Sequence, residues 1–168
     1  MEQRPLKEKS LEVNRHNPFV QLIGVEIVEV APDRSLLRLE LRPETMNPHG
    51  LVHGGALFTL ADNAAGCASS TDGRTYVTQG GDIHFLHTQA SGAVWAEALV
   101  KHRGRSAFLV EVTLTGEGAG CWRRGASPIS AWTARRSRAT APPLLKKTRR
   151  DDTMTRQHKL SVWRKIWP

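Results

Sequence analysis

The sequence has little of what would place it outside a reducing, aqueous compartment. Cysteine occurs twice, as Cys67 and Cys121, too few for the disulfide framework of a small secreted domain. No apolar run approaches the roughly 20 residues of a membrane span. Residues 1–17 carry no apolar stretch ahead of a small-residue cleavage site, so no secretory signal is read there. A cytoplasmic location is the expectation. Acidic residues are scarce in one half only. Residues 1–118 hold 11 Lys+Arg and 14 Asp+Glu, a net of −3, whereas residues 119–168 hold 13 Lys+Arg and 2 Asp, a net of +11. Tryptophan divides the same way, with Trp95 before the boundary and Trp122, Trp132, Trp163 and Trp167 after it. The overall charge of +8 therefore describes the tail, and an argument from net charge to nucleic acid would not concern the domain.

At 168 residues the chain suits one domain with a core of useful size. Three parts are expected: a polar segment over 1–17, a domain over 18–118 and a basic tail over 119–168. The first is either mobile or a short helix around Leu6, Leu11 and Val13. Paired strands follow within 19–42. Val25, Ile27, Val28 and Val30 form one, Ala31-Pro32-Asp33-Arg34 turns the chain, and Leu37, Leu39 and Leu41 then alternate with charged residues at the period of a half-buried strand. Prolines 43 and 48 with Gly50 make 43–53 irregular. From Gly54 the period changes: Ala56, Leu57, Leu60, Ala61, Ala64, Ala65 and Ala68 predict one buried helix over 54–70, small-faced enough to lie close on a sheet. Strands are expected at 75–86, 93–101 and 107–115. The order strand, strand, helix, strand, strand, strand implies an α+β architecture with one central helix and an antiparallel sheet.

The sharpest local feature is His53-Gly54-Gly55 opening a helix that carries Asp62. A helix N-terminus presents unpaired N–H groups and partial positive charge, and glycines permit close backbone approach. Such an end can polarise a carbonyl oxygen. Asp62, beside the apolar stripe, is a carboxylate that could serve as base or nucleophile. Eight residues of helix separate it from Gly54, about 12 Å, too far for both to reach one carbonyl within one chain. They could meet across a dimer. On chemistry alone such residues are more often a turn and a solvated surface carboxylate, and name no enzyme.

The stretch Met46-Asn-Pro-His-Gly-Leu-Val-His-Gly-Gly-Ala-Leu-Phe-Thr-Leu-Ala-Asp-Asn-Ala resembles the PaaI-like acyl-CoA thioesterases, hotdog-fold enzymes named for phenylacetic acid degradation. Asn47, the His53-Gly54-Gly55 triplet and Asp62 match the family pattern in kind and spacing. Asn17-Pro18-Phe19, Leu22-Ile23-Gly24-Val25, Gly73 to Thr78 and Lys101 to Ser106 resemble its flanking segments, so the likeness runs over about 17–118. It implies a long helix wrapped by an antiparallel sheet, assembled as a homodimer or homotetramer, hydrolysing acyl-CoA to free acid and CoA. By position it makes Asp62 the nucleophile or general base and the Gly54 backbone N–H the carbonyl-polarising donor. Asn47 would orient the thioester or water, and Thr78 would help hold the water. His53 is counted with this catalytic group. Gly55, Lys101, Arg103 and Arg105 are expected to bind substrate, the three cations at the coenzyme A phosphates. No cofactor and no metal are expected, since coenzyme A belongs to the substrate. The i,i+4 pair His49/His53 and the i,i+3 pair His84/His87 do not make a ligand set: His49 sits in an irregular loop, and i,i+3 in a strand puts two side chains on opposite faces. His84, His87 and Thr88 depart from the family pattern. Cys67 is expected in the core rather than as a nucleophile. Two other readings stay open: a non-catalytic acyl-CoA-binding hotdog protein, and a nucleic-acid or anionic-membrane binder acting through the tail. Neither nucleic acid nor membrane is the expected partner.

After Glu117-Gly118 the resemblance stops. The segment from Ala119 to Thr133 is rich in Arg and Trp and lacks strand alternation. Joining the last base of each codon to the first two of the next makes Cys121-Trp122 read Leu and Trp132-Thr133 read Asp, whatever synonymous codons are used. Permitted codons elsewhere give Gly-Leu-Leu-Ala-Thr-Gly-Ser-Phe-Thr-Tyr-Phe-Arg-Leu-Asp-Gly-Glu-Glu, close to the missing family ending. The tail is therefore expected to be out of frame, with the last strand of the sheet missing or replaced and the domain destabilised.

Overall fold

The computed structural model describes residues 5–105 and 107–117, together with the backbone of 130–136. Two short helices come first, α1 (Leu6–Arg15) and α2 (Pro18–Ile23), so the helical alternative for the N-terminal segment is the one adopted. Local chemistry delimits α2: the Asn17 side chain accepts the Val20 N–H, Pro18 occupies the first turn, and Gly24 closes the helix at φ 83°. Strands β1 (Val25–Ala31) and β2 (Arg34–Glu40) form the expected hairpin. A register shift between Ile27 and Glu29 makes Val28 a bulge and leaves it exposed. The central helix α3 (Gly54–Ser69) precedes β3 (Tyr76–Gly81), β4 (Ala93–Arg103), β5 (Ala107–Gly116) and β6 (Ser130–Arg136).

All six strands join one antiparallel sheet in the order β1-β2-β4-β5-β6-β3. Its inner face is set by register: Leu37 lies opposite Ala96, which lies opposite Leu114, and Leu39 lies opposite Val94. Helix α3 packs on β2, β4 and β5. Alanines line both partners where they approach, Ala61, Ala64 and Ala68 on the helix and Ala96 and Ala98 on β4, all fully buried. Small side chains there let the helix axis sit close while Leu57, Leu60, Leu37 and Leu39 fill the flanks. The Ser35 hydroxyl donates to the Ala64 carbonyl at 2.7 Å, satisfying its own burial and tying sheet to helix. The outer face is charged: Arg34 bridges Glu29 and Glu97 at 3.0 and 2.8 Å, and Arg38 meets Glu26 and Glu40 below the Trp95 ring. Exposed pairs of this kind contribute little each.

One expectation needs correction and one alternative is decided. The strand expected over 75–86 ends at Gly81. Beyond it the chain turns to the loop before α3, where the Gln89 carbonyl accepts the Val52 N–H at 2.9 Å, so its backbone partners lie outside the sheet. Of the two alternatives for the last strand, missing or replaced, the structure adopts the second. Ser130–Arg136 occupies the interior position between β5 and β3, pairing Val110 with Trp132 and Thr78 with Ala134. Backbone hydrogen bonding does not read side-chain alternation, and the inner edges of β5 and β3 both need partners. Residues 118–129 and 137–168, most of the basic tail and of the out-of-frame reading, lie outside the described residues.

Candidate active site

The loop before α3 is held by its own residues. The Asn47 side-chain oxygen accepts the N–H groups of His49 and Leu51 at 2.9 and 3.2 Å, and Gly50 takes φ 72°, which glycine adopts without strain. Both bonds end on Oδ1, which leaves the NH₂ group as the side chain's remaining donor. The His53 N–H donates to the Thr45 carbonyl at 2.8 Å, fixing where the helix begins.

The first turn of α3 can be accounted for donor by donor. The His53 Nδ1 accepts the Gly55 N–H at 2.9 Å, so it carries no proton and the ring is the neutral Nε2–H tautomer in this arrangement. The His53 carbonyl accepts the N–H groups of Ala56 and Leu57 at 2.9 and 3.2 Å. The Gly54 N–H is left without a partner among the described residues, at the positive end of a 16-residue helix. Gly55, expected to touch substrate, packs against His53: a Cβ at Gly55 would stand 3.1 Å from the ring nitrogen. Sequence reasoning missed Phe85, whose ring lies 3.4 Å from where a Cβ on Gly54 would stand.

Asp62 lies two turns further on the same helix, half-buried. Thr78 of β3 donates its hydroxyl to Asp62 Oδ1 at 2.6 Å. The chain thus brings Thr78 to Asp62 and His53 to the Gly54-Gly55 turn, keeps the two groups about 12 Å apart along the helix, and holds Asn47 within its own loop at His49 and Leu51. Beyond Thr78, β3 is the outer strand of the sheet, with Val77 53% exposed.

The three expected phosphate-binding cations are not equivalent. Arg103 is enclosed at the C-terminal end of α3, paired with Asp33 and Asp72, donating to the Ser69 carbonyl at 2.9 Å and stacked by the rings of Tyr76 and Phe108. Two carboxylates already neutralise it. Lys101 pairs with Glu111 at 2.9 Å, and the Arg105 carbonyl accepts from Arg74. Asp72 is the group this cluster perturbs most. Burial pushes its carboxyl up, but the Tyr76 hydroxyl, the Arg74 N–H and guanidinium and the Arg103 charge outweigh burial and hold it at about 2. Burial pushes the Cys67 thiol up to about 11, which keeps it protonated and unreactive. Among the described residues no three His, Cys, Asp or Glu side chains are grouped to hold a metal, and no helix is long and apolar enough to cross a membrane.

The chain matches the Thioesterase superfamily over residues 49–121. It is 34% identical over 101 residues to the 1,4-dihydroxy-2-naphthoyl-CoA hydrolase of Listeria monocytogenes, covering 58% of this chain and 81% of that one. Among solved structures it is similar to a variant of the phenylacetic acid degradation protein PaaI from Thermus thermophilus, with TM-score 0.64 and 26% identity, covering 72% of this chain and all of that one. It also shares its fold with smu.793 from Streptococcus mutans bound to acetyl CoA, with TM-score 0.61 and 23% identity, covering 68% and 89% of the two chains. A central helix wrapped by an antiparallel sheet, opened by His-Gly-Gly, defines a hotdog-fold thioesterase. The chain belongs to the thioesterase superfamily and is PaaI-like within it.

Proposed function

We propose that this protein hydrolyses an acyl-CoA thioester to the free acid and coenzyme A in a site completed by a second copy of the chain. The observation that carries the reading is the Gly54 N–H, left open at the helix end while its neighbours are taken by His53. A donor preorganised there costs no reorganisation when the thioester oxygen gains charge. Asp62 supplies the second function. As a base it takes a proton from water, whose oxygen attacks the carbonyl carbon. As a nucleophile it attacks that carbon itself and forms an anhydride that water then opens. On either route the C–S bond breaks and the sulfur leaves as coenzyme A thiol. Thr78, bonded to Asp62, holds the carboxylate or the water in line, and the Asn47 NH₂ orients the thioester.

Two observations support assembly from two copies. Gly54 and Asp62 of one helix are too far apart for one carbonyl. The outer edge of β3 presents the backbone of an edge strand and the exposed Val77, which another strand can cover. Lys101 and Arg105 are the cations best able to meet the coenzyme A phosphates, since Arg103 is enclosed by Asp33 and Asp72. The bound coenzyme A and acetyl CoA named for two solved relatives favour the same ligand class.

The test is free-thiol release from a panel of acyl-CoA esters by the wild type and Asp62→Asn. Release by the wild type that Asp62→Asn abolishes is the expected result. Release that survives Asp62→Asn would overturn the assignment of Asp62, and coenzyme A binding without release would leave a binding module.

A further inference from the structure

Thr78 reaches Asp62 from the outermost strand of the sheet. β3 has a ladder partner on one side only, β6, and such a strand shifts more readily than one paired on both sides. Tyr76, Val77 and Thr78 pair in step with Arg136, Arg135 and Ala134. Thr78 is the last to do so. The register shifts before Gly80, which leaves Gln79 as a bulge, and two glycines end the strand. The bulge and the glycines loosen the C-terminal side, so the ladder holds Thr78 mainly from the side of Tyr76.

Residues two apart on a strand share a face, and Tyr76 and Thr78 both project toward α3. The Tyr76 hydroxyl donates to Asp72 Oδ2 at 2.6 Å. Its ring meets buried Phe108 edge to face at 4.4 Å, and the Arg103 guanidinium lies against it. Asp72 is fixed by other groups as well. It accepts the Arg74 N–H at 2.9 Å and the Arg74 Nε at 2.7 Å. Arg103 reaches it from β4 and also donates to the Ser69 carbonyl at the end of α3. Asp33, at φ 59°, closes the other side of Arg103 while its own N–H donates to the Thr71 hydroxyl at 3.0 Å. The phenol is thus fastened to the end of the helix that carries Asp62.

Neither packing nor charge requires the hydroxyl. The ring alone fills the place against Phe108, and Asp72 keeps Arg74 and Arg103 without it. What the hydroxyl adds is a fixed distance between β3 and the end of α3.

We propose that Tyr76 is a positioning residue for the hydrolysis: its hydroxyl, anchored on Asp72, sets where β3 lies along α3 and so places the Thr78 hydroxyl against Asp62. The inference rests on the reading of Asp62 and Thr78 given above. In this role Tyr76 acts on the carboxylate only through Thr78.

The test compares the full-length wild type with Tyr76→Phe, Thr78→Val and the double variant. Thiol release is followed with the fastest of phenylacetyl-, benzoyl- and hexanoyl-CoA, and kcat and KM are fitted separately. Tyr76→Phe is expected to lower kcat about fivefold or more with KM unchanged, since small misplacements of a reacting group are costly. In the Thr78→Val background the same change should alter kcat by less than about twofold, because its target is already gone. Ile27→Val, a core change on β1 at the opposite edge of the sheet, is the control for lost stability as such, and its kcat should equal that of the wild type. Wild-type kcat in Tyr76→Phe, a rise in KM alone, or equal losses with and without Thr78 would overturn the proposal. So would a fall in Ile27→Val that matches the fall in Tyr76→Phe.

Threonine-methyl NMR separates this inference from the reading beneath it. The Thr78 signal is the one that Thr78→Val removes. It should move in Tyr76→Phe in the direction it moves in Asp62→Ala, which deletes the acceptor. If the wild type releases no thiol yet the signal moves in this way, hydrolysis fails and the positioning role stands. If the signal stays in place in Tyr76→Phe, the positioning role falls whatever the activity.

Discussion

The His53 imidazole caps the helix it precedes, its Nδ1 accepting the Gly55 N–H at 2.9 Å. This one bond decides which glycine of the pair remains a free donor. With Gly55 occupied by the side chain and Ala56 and Leu57 by the His53 carbonyl, the open N–H is that of Gly54. The imidazole of His53 is thereby a helix cap, whatever chemistry its other nitrogen does.

Replacing His53 by Ala removes the cap and uncovers a second N–H. Loss of about 1 kcal/mol of stability is expected, read as a lower urea midpoint. His53→Asn, which can cap through its side-chain oxygen, should recover most of it. Recovery by Asn of stability and turnover together would mark the role as capping. An Asn variant that is stable yet inactive would show that the imidazole does chemistry of its own.

Asp62→Asn is expected to lower kcat by about 10² to 10⁴, the range for loss of a positioned general base. Thr78→Val leaves the carboxylate but removes the 2.6 Å bond to it. A hydrogen bond to a charged group is worth about 1.5–3 kcal/mol, so the expected fall in kcat is roughly tenfold to a hundredfold with KM little changed. Single-turnover hydrolysis in ¹⁸O-water distinguishes the two routes: label entering the Asp62 carboxylate marks the nucleophile, label confined to the product acid marks the base.

The Asp33–Arg103–Asp72 cluster predicts an acid limb to stability. The folded Asp72 carboxyl sits at about 2, below the value near 3.9 of an unfolded Asp. Folding therefore favours its ionised form. The stabilisation is complete above pH 4 and is lost as pH falls from about 4 to about 2. Screening at this partly open site limits it to about 1 kcal/mol. Arg103→Met should destabilise the fold at pH 7 and shrink that limb, measured by thermal melts between pH 2 and 7.

The position of β6 predicts the effect of truncation. Ending the chain at Glu117 removes the strand between β5 and β3 and leaves two edges unpaired, so loss of the cooperative melt is expected. Ending it at Arg138 should preserve the melt. Substituting the out-of-frame ending after Gly118 is expected to raise the melting temperature above that of the present chain. The coding DNA tests the frame itself, and a frame that does not continue into that strand would refute the shift.

Much of this was legible in the sequence because it depends on local periodicity. The alternation of Leu37, Leu39 and Leu41 and the alanine-rich face of 56–68 are each sufficient to set strand or helix, and the structure follows them within a residue or two. His53, Gly54 and Asp62 were legible as a spacing, since a helix converts eight residues into a fixed distance. What periodicity could not carry was decided by distant partners. Gly81 ends its strand because the chain beyond it turns to Val52, and Arg103 is withdrawn from solvent because Asp33 and Asp72 converge on it from other elements. Ser130–Arg136 becomes a strand without an alternating pattern because the sheet offers it two rows of backbone partners. The sequence by itself determined which segments could be buried and which residues carry reactive groups. The tertiary structure decided which cation is neutralised and which backbone partners the last strand meets, because each depends on contacts between residues far apart in the chain.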